Sequence, residues 1–594
     1  MNDRYPGGDG AGHDRPVPMA ERRDVWGSDA TAAMLRALDI PYLALNPGAS
    51  FRGLHDSLVN YTGNTTPQML LCLHEESAVS IAHGYARAAG RMMGVVLHSN
   101  VGLMHASMSI FNAWCDRVPM LVLGATGPWD AARRRPWIDW IHTSSDQGAL
   151  VRDYTKWDNQ PASVPATCEA LLRAVQIADT APRGPTYVNL DSVIQETAIG
   201  PLPHLPDVAR FRAPSPAVPA GALLDEVAQL LSQAVRPVIL MGRSTRGTDD
   251  WRRRVELAET LQAVVLTDWK MPAAFPTDHP LHPCAPGTFL PPEACQLLRA
   301  ADVVLALDWY DVAGALKQAC GDEPVDAKII NVSPDQLVHR GWSMDYQGLP
   351  PTDIYVLCEP DAVVPLLLAR IDRRALVPPP TRVRLPPFDP SVLSVRVVAE
   401  ALNDAIGDQM LSLASLPLSW NGFYRAFRHP LDYLGYTGGG GVGAGPGLTV
   451  GAALALRGSD RIVAGVVGDG DFLMGVTAVW TAVRHRIPCL IIVANNRAYY
   501  NDVMHQEHMA IERGRPVENK WIGQSIDDPD VDLAAMARAQ GADGIGPVTE
   551  TAALRPAIEQ GLAAVRAGRV CVIDVRVMPG YDNPTSVSSP SQKR

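Results

Sequence analysis

The sequence lacks the features of a secreted, membrane-spanning or nucleic-acid-binding protein. Its nine cysteines are scattered without a C-x-x-C pair or zinc-ligand spacing, which favours a reduced cytoplasm over a disulfide-rich secreted domain. No apolar run approaches the ~18 residues of a membrane span, and residues 1–24 lack the apolar core of a secretory signal. With 52 basic and 63 acidic residues the net charge is −11, so the basic face of a nucleic-acid-binding protein is not expected. We therefore predict a soluble cytoplasmic protein that binds neither nucleic acid nor membrane.

Two proline-rich stretches, at residues 200–221 and 377–390, divide the chain. Proline blocks of this kind form semi-rigid connectors, and 594 residues are too many for one hydrophobic core. Elsewhere, helical periodicity alternates with short apolar runs such as GVVLH at 94–98, the pattern of a parallel sheet covered by helices. We predict three doubly wound parallel-sheet α/β domains. Their bounds are residues 21–199, 215–376 and 391–580, with flexible tails at 1–20 and 581–594.

A glycine-aspartate-glycine motif and a pair of asparagines each follow an apolar run in the last third of the chain. GDG occupies residues 468–470 after the run at 463–467, and 24 residues separate it from Asn495 and Asn496. Two parallel strand ends beside a helix N-terminus form a site for phosphate and metal. Asp469 and Asn496 supply hard oxygen ligands that suit Mg²⁺. An ordinary strand-turn-helix is the alternative interpretation of GDG alone.

Both halves at this spacing resemble the thiamin-diphosphate-binding motif of the acetolactate synthase / benzoylformate decarboxylase (pyruvate decarboxylase-like) superfamily. By that resemblance, the Asp469 carboxylate, the Asn496 side chain and the Ala498 carbonyl bind Mg²⁺. The residues of this segment that are expected to bind the cofactor are Gly468, Asp469, Gly470, Asp471, Asn496 and Ala498. The family's architecture implies a pyrimidine-binding, a central and a diphosphate-binding domain, in that order.

A glycine-rich segment, TGGGGVGAGPG, begins at Thr437. It contains G-x-G-x-x-G, but the preceding FRHPLDYLGY is not a convincing strand, so a dinucleotide-binding βαβ unit is disfavoured. In the resemblance this segment is the turn beneath the cofactor. The Gly440 carbonyl then accepts a hydrogen bond from the pyrimidine amino group, and Val442 stands where the family places the apolar wedge that bends the cofactor. A turn that allows close helix–strand packing is the alternative.

Glu75 lies where the apolar run MLLCL meets an amphipathic helix that we predict from Glu76 onward. A carboxylate favours a helix N-terminus, which gives Glu75 a structural interpretation. The motif H-E-x-x-A-x-x-x-A-x-G-Y-A-R, however, resembles the superfamily's catalytic-glutamate motif and places that role on Glu75. By the resemblance, its buried carboxyl group acts on the pyrimidine ring of the cofactor. The family also implies a homodimer or homotetramer with active sites between subunits.

His98 follows an apolar run, 23 positions after Glu75. The stretch from residue 95 to 125 and the helix and strand after GDG resemble the benzoylformate decarboxylase branch of the superfamily. In that branch a histidine at this place handles protons on the substrate, so a catalytic role is predicted for His98. A strand-end histidine that is hydrogen-bonded to backbone groups is the alternative.

The N-P-G loop at residues 46–48 also matches the family, but Ala49 stands where the decarboxylase has a carboxylate-binding serine, with Ser50 one position later. The substrate is therefore not expected to be benzoylformate itself. Asn100 and His105 fit a pocket role and a structural role equally well. The predicted substrate pocket comprises Ala49, Ser50, Asn100, Tyr499 and Tyr500.

Together these motifs imply a thiamin-diphosphate- and Mg²⁺-dependent 2-oxo acid decarboxylase or carboligase that acts through a ylide and an enamine. In ligation, an aldehyde or a second 2-oxo acid is the acceptor. The alternatives are an acetolactate-synthase-like transferase and a catalytically silent cofactor-binding subunit. The presence of Glu75, Asp469 and Asn496 argues against the silent subunit. Some relatives carry FAD, for which the middle segment gives no positive signal.

Overall fold

The structure is a computed structural model that describes residues 14–18, 25–335 and 348–581. Its strands form three parallel sheets. In chain order they are β1 Tyr42–Leu45, β2 Gln68–Leu71, β3 Gly94–Leu97, β4 Met120–Thr126, β5 Asp158–Asn159, β6 Pro185–Asp191, β7 Pro237–Met241, β8 Val264–Thr267, β9 Val303–Leu307, β10 Lys328–Val332, β11 Ile354–Val356, β12 Leu411–Ser415, β13 Ile462–Gly468, β14 Leu490–Asn495, β15 Asp543–Val548 and β16 Cys571–Arg576.

Helices alternate with these strands along the chain. They are α1 Gly27–Ala37, α2 Arg52–Asp56, α3 Glu75–Ala89, α4 Ser99–Cys115, α5 Ile138–Ile141, α6 Val164–Asp179, α7 Ser192–Gln195, α8 Gly221–Gln233, α9 Thr248–Leu261, α10 Pro292–Arg299, α11 Val312–Cys320, α12 Pro360–Leu368, α13 Val395–Ile406, α14 Gly445–Ala455, α15 Asp469–Gly475, α16 Thr477–Arg484, α17 Tyr500–Glu512, α18 Leu533–Ala539 and α19 Thr551–Arg566. Short 3₁₀ and π segments, such as Ala49–Phe51 and Ser57–Tyr61, lie in the loops.

The first compact unit comprises residues 1–214, 438–457 and 475–488. Its sheet has the order β2-β1-β3-β4-β6-β5, with every pair parallel. Strands β3, β4 and β6 are buried at every position, as expected for apolar runs covered by helices on both faces. Because parallel strands end at the same edge of a sheet, the loops after β1, β3, β4 and β6 converge there.

Close helix packing explains why α14 belongs to this unit although it follows β12 in sequence. A Cβ atom at Gly84 of α3 would lie 2.1 Å from the carbonyl oxygen of Leu448 in α14. A Cβ at Gly451 of α14 would lie 1.9 Å from the carbonyl oxygen of Ile81. The two helix backbones therefore approach to a distance that only glycine permits at these positions.

The second compact unit comprises residues 215–437, 458–474 and 489–594 and contains two sheets. Their orders are β11-β10-β9-β7-β8 and β12-β13-β14-β16-β15. In the latter sheet β13 and β14 are direct parallel neighbours, with Gly468 paired to Ala494. The loops that follow these two strands consequently start side by side at one edge of the sheet.

The prediction of three doubly wound parallel sheets is confirmed. The exact domain bounds stay predictions, and the predicted tails lie almost entirely outside the described residues. Asp14 is one exception, because its carboxylate pairs with Arg484 at 2.9 Å. Within the described part of the chain, no helix has the length and apolar character needed to cross a membrane, and all nine cysteines are free.

Candidate active site

Glu75 is the first residue of α3 and is 5% exposed. Its Oε1 accepts a hydrogen bond from Nδ2 of Asn46 at 3.1 Å, and its Oε2 lies 3.2 Å from Nδ1 of His105. Asn46 follows β1, and His105 lies on α4, so three elements meet at this carboxylate. A Cβ at Gly102 would lie 3.2 Å from Oε1 of Glu75, so glycine there lets α4 approach. The carboxylate is thus fixed on both oxygens.

His74 supports this arrangement from the position before the helix. Its Nδ1 accepts the backbone N–H of Glu76 at 3.1 Å, which leaves the proton of the neutral ring on Nε2. The ring stacks on His105, with centroids 5.2 Å apart and planes 13° from parallel. Ligand atoms of His74, Glu75 and His105 lie within 4.8 Å of one another. A metal ion must lie in the plane of each imidazole that binds it, and stacked rings do not direct their nitrogens at one point. The group therefore holds a carboxylate and is not arranged as a zinc site.

His98 ends β3 and precedes α4. Its Nδ1 lies 2.8 Å from the hydroxyl of Ser50 and accepts the backbone N–H of Ser50 at 3.5 Å. This leaves the proton of the neutral ring on Nε2. Burial lowers the pKa of His98, and the neighbouring His142 ring, 4.7 Å away and nearly perpendicular, lowers it further. A Cβ at Gly48 would lie 2.2 Å from Cγ of His98, so only glycine in the N-P-G loop admits this ring.

A cavity of about 90 Å³ opens beside His98 at the carboxyl edge of the first sheet. It contains two of the predicted pocket residues, Ala49 and Ser50. Its lining residues are Ala49, Ser50, Arg52, His98, Gly127, Pro128, Arg133, Arg135, Asp139, His142, Ser192, Val193 and Glu196. Sequence reasoning missed the arginines and His142. The Arg-Arg-Arg run at 133–135, after a buried apolar strand, is the signal that could have drawn attention to them.

Asn100 is not among the residues that line this cavity. Its Nδ2 donates to the carbonyl of Ile141 at 3.2 Å, and its Oδ1 accepts from the hydroxyl of Ser99 at 2.6 Å. The Ser99 hydroxyl also lies 3.2 Å from the carbonyl of His142. Asn100 therefore fastens the start of α4 to the loop that carries His142, which is the structural role left open by the sequence.

The glycine-rich turn also lies in the first unit. Gly440 adopts φ +69°, a left-handed conformation that glycine tolerates, and Val442 is 43% exposed. The backbone N–H of Gly441 donates to Oδ1 of Asn112 on α4 at 3.4 Å. A Cβ at Gly441 would lie 2.5 Å from the terminal methyl of Met108. The turn therefore rests on α4, the helix that also carries His105.

In the second unit, Gly468 ends β13 and Asp469 begins α15, as the motif predicts. Oδ1 of Asp469 accepts the backbone N–H of Gly470 at 2.9 Å. Its Oδ2 is buried and has no hydrogen-bond partner among the described residues. Burial raises the pKa of Asp469, because the charged form loses hydration. A buried, unpaired carboxylate oxygen is costly and fits a hard metal ion as its partner.

The asparagine pair at the end of β14 divides into two roles. Nδ2 of Asn495 donates to Oδ1 of Asp574 at 2.8 Å, and Asp574 is fully buried on β16. Oδ1 of Asn496 accepts the backbone N–H of Ala498 at 3.0 Å, which orients its side-chain oxygen and closes a tight turn. Arg497, which lies between Asn496 and Ala498, takes the left-handed conformation at φ +57°. Asn495 therefore anchors the loop to the sheet, and the metal-ligand role of Asn496 stays a prediction.

Tyr499 and Tyr500 follow this turn. A Cβ at Gly470 would lie 2.6 Å from the ring of Tyr499, so a larger residue at the third position of GDG would displace that ring. The ring of Tyr500 stacks on Tyr581 at 5.6 Å and lies 6.2 Å from Trp521. Asp471, on the first turn of α15, contributes to the raised pKa of Tyr436, about 12, although burial is the larger cause.

Three family models match successive parts of the chain. The N-terminal TPP binding domain of thiamine pyrophosphate enzymes matches residues 25–151. The central domain of these enzymes matches residues 224–340, and their C-terminal TPP binding domain matches residues 417–575. The matches occur in the order that the resemblance implies, and together they span more than half of the sequence.

Individual relatives agree with these matches. The chain is 29% identical over 513 residues to benzoylformate decarboxylase of Pseudomonas aeruginosa, covering 84% of this chain and 90% of that protein. It is 24% identical over 500 residues to the probable acetolactate synthase large subunit of Methanocaldococcus jannaschii, covering 79% and 80%. The crystal structure of benzoylformate decarboxylase from Polynucleobacter necessarius shares the fold, with a TM-score of 0.78 at 20% identity, covering 95% of this chain and all of that one. The chain therefore belongs to the thiamin-diphosphate-dependent enzymes of the acetolactate synthase / benzoylformate decarboxylase superfamily.

Proposed function

We propose that the protein is a thiamin-diphosphate- and Mg²⁺-dependent 2-oxo acid decarboxylase or carboligase. The observation that carries the proposal is the buried Oδ2 of Asp469, which has no hydrogen-bond partner among the described residues. Asp469, the Asn496 side chain and the Ala498 carbonyl would hold the metal ion. When bound, the cofactor accepts the electron pair that is left on the substrate carbonyl carbon as CO₂ departs.

Gly468, Gly470 and Asp471 would line the diphosphate in the second unit, and Gly440 and Val442 would contact the cofactor's rings. Gly468 leaves open space beside the end of β13, because a Cβ there would meet no atom within 4 Å. Val442 is available for an apolar contact because 43% of its surface is exposed. These roles follow the family motif residue by residue.

Glu75 would hold the proton that it shares with the cofactor's pyrimidine nitrogen. Asn46 and His105 orient its carboxyl group through Oε1 and Oε2, which reduces the reorganisation needed when a proton moves. His98 would donate a hydrogen bond from Nε2 to the carboxylate or alcohol oxygen of the substrate. The lowered pKa of His98 keeps its ring neutral below the usual titration range of histidine. Ser50 fixes the ring orientation from the opposite nitrogen.

The proposal places the protein in the cytoplasm as a homodimer or homotetramer. Membership of the family supports this assembly. Sedimentation with and without cofactor and Mg²⁺ measures the oligomeric state. A monomer that turns over substrate would contradict assembly without contradicting the chemistry.

A panel of 2-oxo acids tests the function itself. Purified protein is given thiamin diphosphate and Mg²⁺, and both CO₂ and the organic product are measured, with and without an added aldehyde. We expect CO₂ release that requires both additions and that Glu75→Gln reduces. An aldehyde product identifies a decarboxylase, whereas a hydroxyketone identifies a carboligase or an acetolactate-synthase-like transferase. Absence of CO₂ release from every 2-oxo acid would reject both and leave the catalytically silent subunit.

A further inference from the structure

The cavity beside His98 is lined by three arginines and two carboxylates. Arg52 pairs with Glu196 at 2.8 Å, and Arg135 pairs with Asp139, with Nη2 at 2.8 Å from Oδ1 and Nε at 3.2 Å from Oδ2. The Asp139 side chain is 3% exposed, whereas that of Arg135 is 48% exposed. Two arginines of the cavity are thus already neutralised by carboxylates.

The third arginine is not neutralised. The described residues offer the Arg133 guanidinium neither a hydrogen bond nor an ion pair, although Arg133 lines the same cavity. The lining of the cavity therefore includes three guanidinium groups and two carboxylates. Burial holds the pKa of His98 down, so that ring does not add to or cancel the excess at neutral pH. The side chains that line the cavity therefore carry one more positive charge than negative, and Arg133, which holds the excess, is exposed to solvent.

The loop that presents Arg133 is held by its own hydrogen bonds. The Asp130 carboxylate accepts the backbone N–H of Ala132 at 3.0 Å and begins the short 3₁₀ helix Ala131–Arg133. The Arg134 guanidinium donates to the carbonyls of Pro128 and Trp129 at 2.8 and 2.9 Å. Arg133 is therefore presented by an ordered turn, which lowers the entropic cost of binding an anion.

The size of the cavity restricts what it can accept. The accessible space in the cavity is about 90 Å³, less than the ~150 Å³ of an engineered apolar cavity that binds benzene. That space suits one compact charged group, such as a carboxylate or a sulfonate. Planar guanidinium groups bind such oxyanions with charge-assisted hydrogen bonds.

We propose that this cavity receives a second anionic group at the far end of the 2-oxo acid substrate, with Arg133 as its partner. The proposal rests on the proposed function, because it assigns the substrate class of the site that contains His98. The preferred substrates are then 2-oxo acids with a terminal carboxylate or sulfonate. A cationic end is disfavoured by the excess positive charge, and a neutral end leaves Arg133 without a counter-charge.

Substrate preference is the first test. The kcat/KM values of 2-oxoglutarate, 2-oxobutanoate and 2-oxo-5-guanidinopentanoate are compared for the wild-type protein and for Arg133→Gln. We expect the dianion to be preferred and the variant to lose that preference by about 10- to 100-fold, the range of one hydrogen bond to a charged group. Arg133→Lys should recover part of it. Arg210→Gln is the matched control, because Arg210 is an exposed arginine of the same unit outside the cavity. A preference for either of the other two acids would overturn the proposal.

Binding without turnover separates this proposal from the proposed function. Calorimetry on the protein without cofactor compares glutarate, a dianion, with butyrate, a monoanion. We expect glutarate to bind more tightly and Arg133→Gln to weaken only that difference. Equal binding of the two would mean that the cavity takes the substrate's own 2-oxo carboxylate, and binding of neither would mean that it takes no anion; either result overturns the inference. If glutarate binds as expected but no 2-oxo acid releases CO₂, the proposed function fails and the anion site stands.

Discussion

Two parallel sheets of this molecule each carry a buried carboxylate at the carboxyl edge, and the two carboxylates differ in their hydrogen-bond partners. Glu75 lies at the carboxyl edge of the first unit's sheet, and Asp469 lies at the carboxyl edge of the last sheet. Both are buried. Glu75 has a partner on each oxygen, whereas Asp469 has an oxygen without a partner among the described residues.

The two environments fit the two roles that are proposed for these carboxylates, proton handling for Glu75 and metal binding for Asp469. A group that shares a proton needs a fixed direction, which side-chain hydrogen bonds from Asn46 and His105 provide. A metal ligand needs an available lone pair, and the folded chain leaves one on Asp469 at a cost that a cation would remove. Variants of one carboxylate that leave the other unchanged test whether the two roles are separate.

The largest expected effect is on cofactor retention. Asp469→Asn removes the charge but keeps the size, so Mg²⁺-dependent retention of thiamin diphosphate should fall by at least about 100-fold, the upper range for disturbed metal sites. Equilibrium dialysis with and without Mg²⁺ measures it. Asp408→Asn, an exposed aspartate of the same unit, should retain the cofactor like the wild type. Full retention by Asp469→Asn would contradict the metal role.

The next effect separates proton handling from retention. Glu75→Gln should slow hydrogen–deuterium exchange at C2 of the bound cofactor by about 100-fold or more, the scale of acid–base groups. Cofactor retention should be nearly unchanged, the reverse of the result at Asp469. The matched control is Glu76→Gln, the adjacent carboxylate of the same helix turn. Equal slowing in both variants would place the effect on the helix terminus and not on Glu75.

A smaller effect is expected at the support of Glu75. His105→Ala removes the partner of Oε2 and should slow C2 exchange by about tenfold, the lower range for a hydrogen bond to a charged group. His105→Asn, which retains a donor, should recover part of the rate. His204→Asn, an exposed histidine of the same unit, serves as the control. If His105→Ala exchanges at the wild-type rate, the contact has no role in proton handling.

The last prediction concerns a different quantity, acid stability, and applies to both units. Burial lowers the pKa of His83 and His485 to about 4 and of His282 to about 3. The unfolded chain then binds protons that the folded chain does not, so stability is full above about pH 6.5 and is lost as the pH falls toward 4. Each such histidine contributes about 1.4 kcal/mol per pH unit in this window.

Calorimetric melting at pH 7, 6 and 5 measures this loss before most carboxylates titrate. His282→Gln should reduce the change of melting temperature with pH, because unfolding of the variant takes up one proton fewer. A melting temperature that does not change between pH 7 and pH 5 would show that these histidines are accessible to protons in the folded protein.

Much of the candidate site could be predicted from the sequence, because its motifs lie at the boundaries of helices and strands. The predicted strand before GDG is β13, and the predicted helix with its carboxylate at the start is α3. His98 follows β3 as the apolar run indicates. Periodicity identifies such boundaries because burial of one face or both dictates which residues can stand there.

Pairings across the fold could not be predicted in the same way. Glu75 and His105 are 30 positions apart, and Asn495 and Asp574 are 79 apart. Likewise, the sequence places α14 in the last segment, while its glycines let it pack on α3 in the first unit. Local patterns do not specify which strands become neighbours or which helices approach closely.

Local spacing in the sequence specifies the element types, the family and the residues that are predicted to bind a diphosphate and a metal ion. Only the tertiary structure decided that the Glu75 carboxylate is held on both sides, that one oxygen of Asp469 is enclosed without a partner among the described residues, and that Arg133 faces a cavity with excess positive charge. The physical reason is that parallel sheets gather distant loop residues at one edge, where burial and the identity of neighbours set the electrostatics.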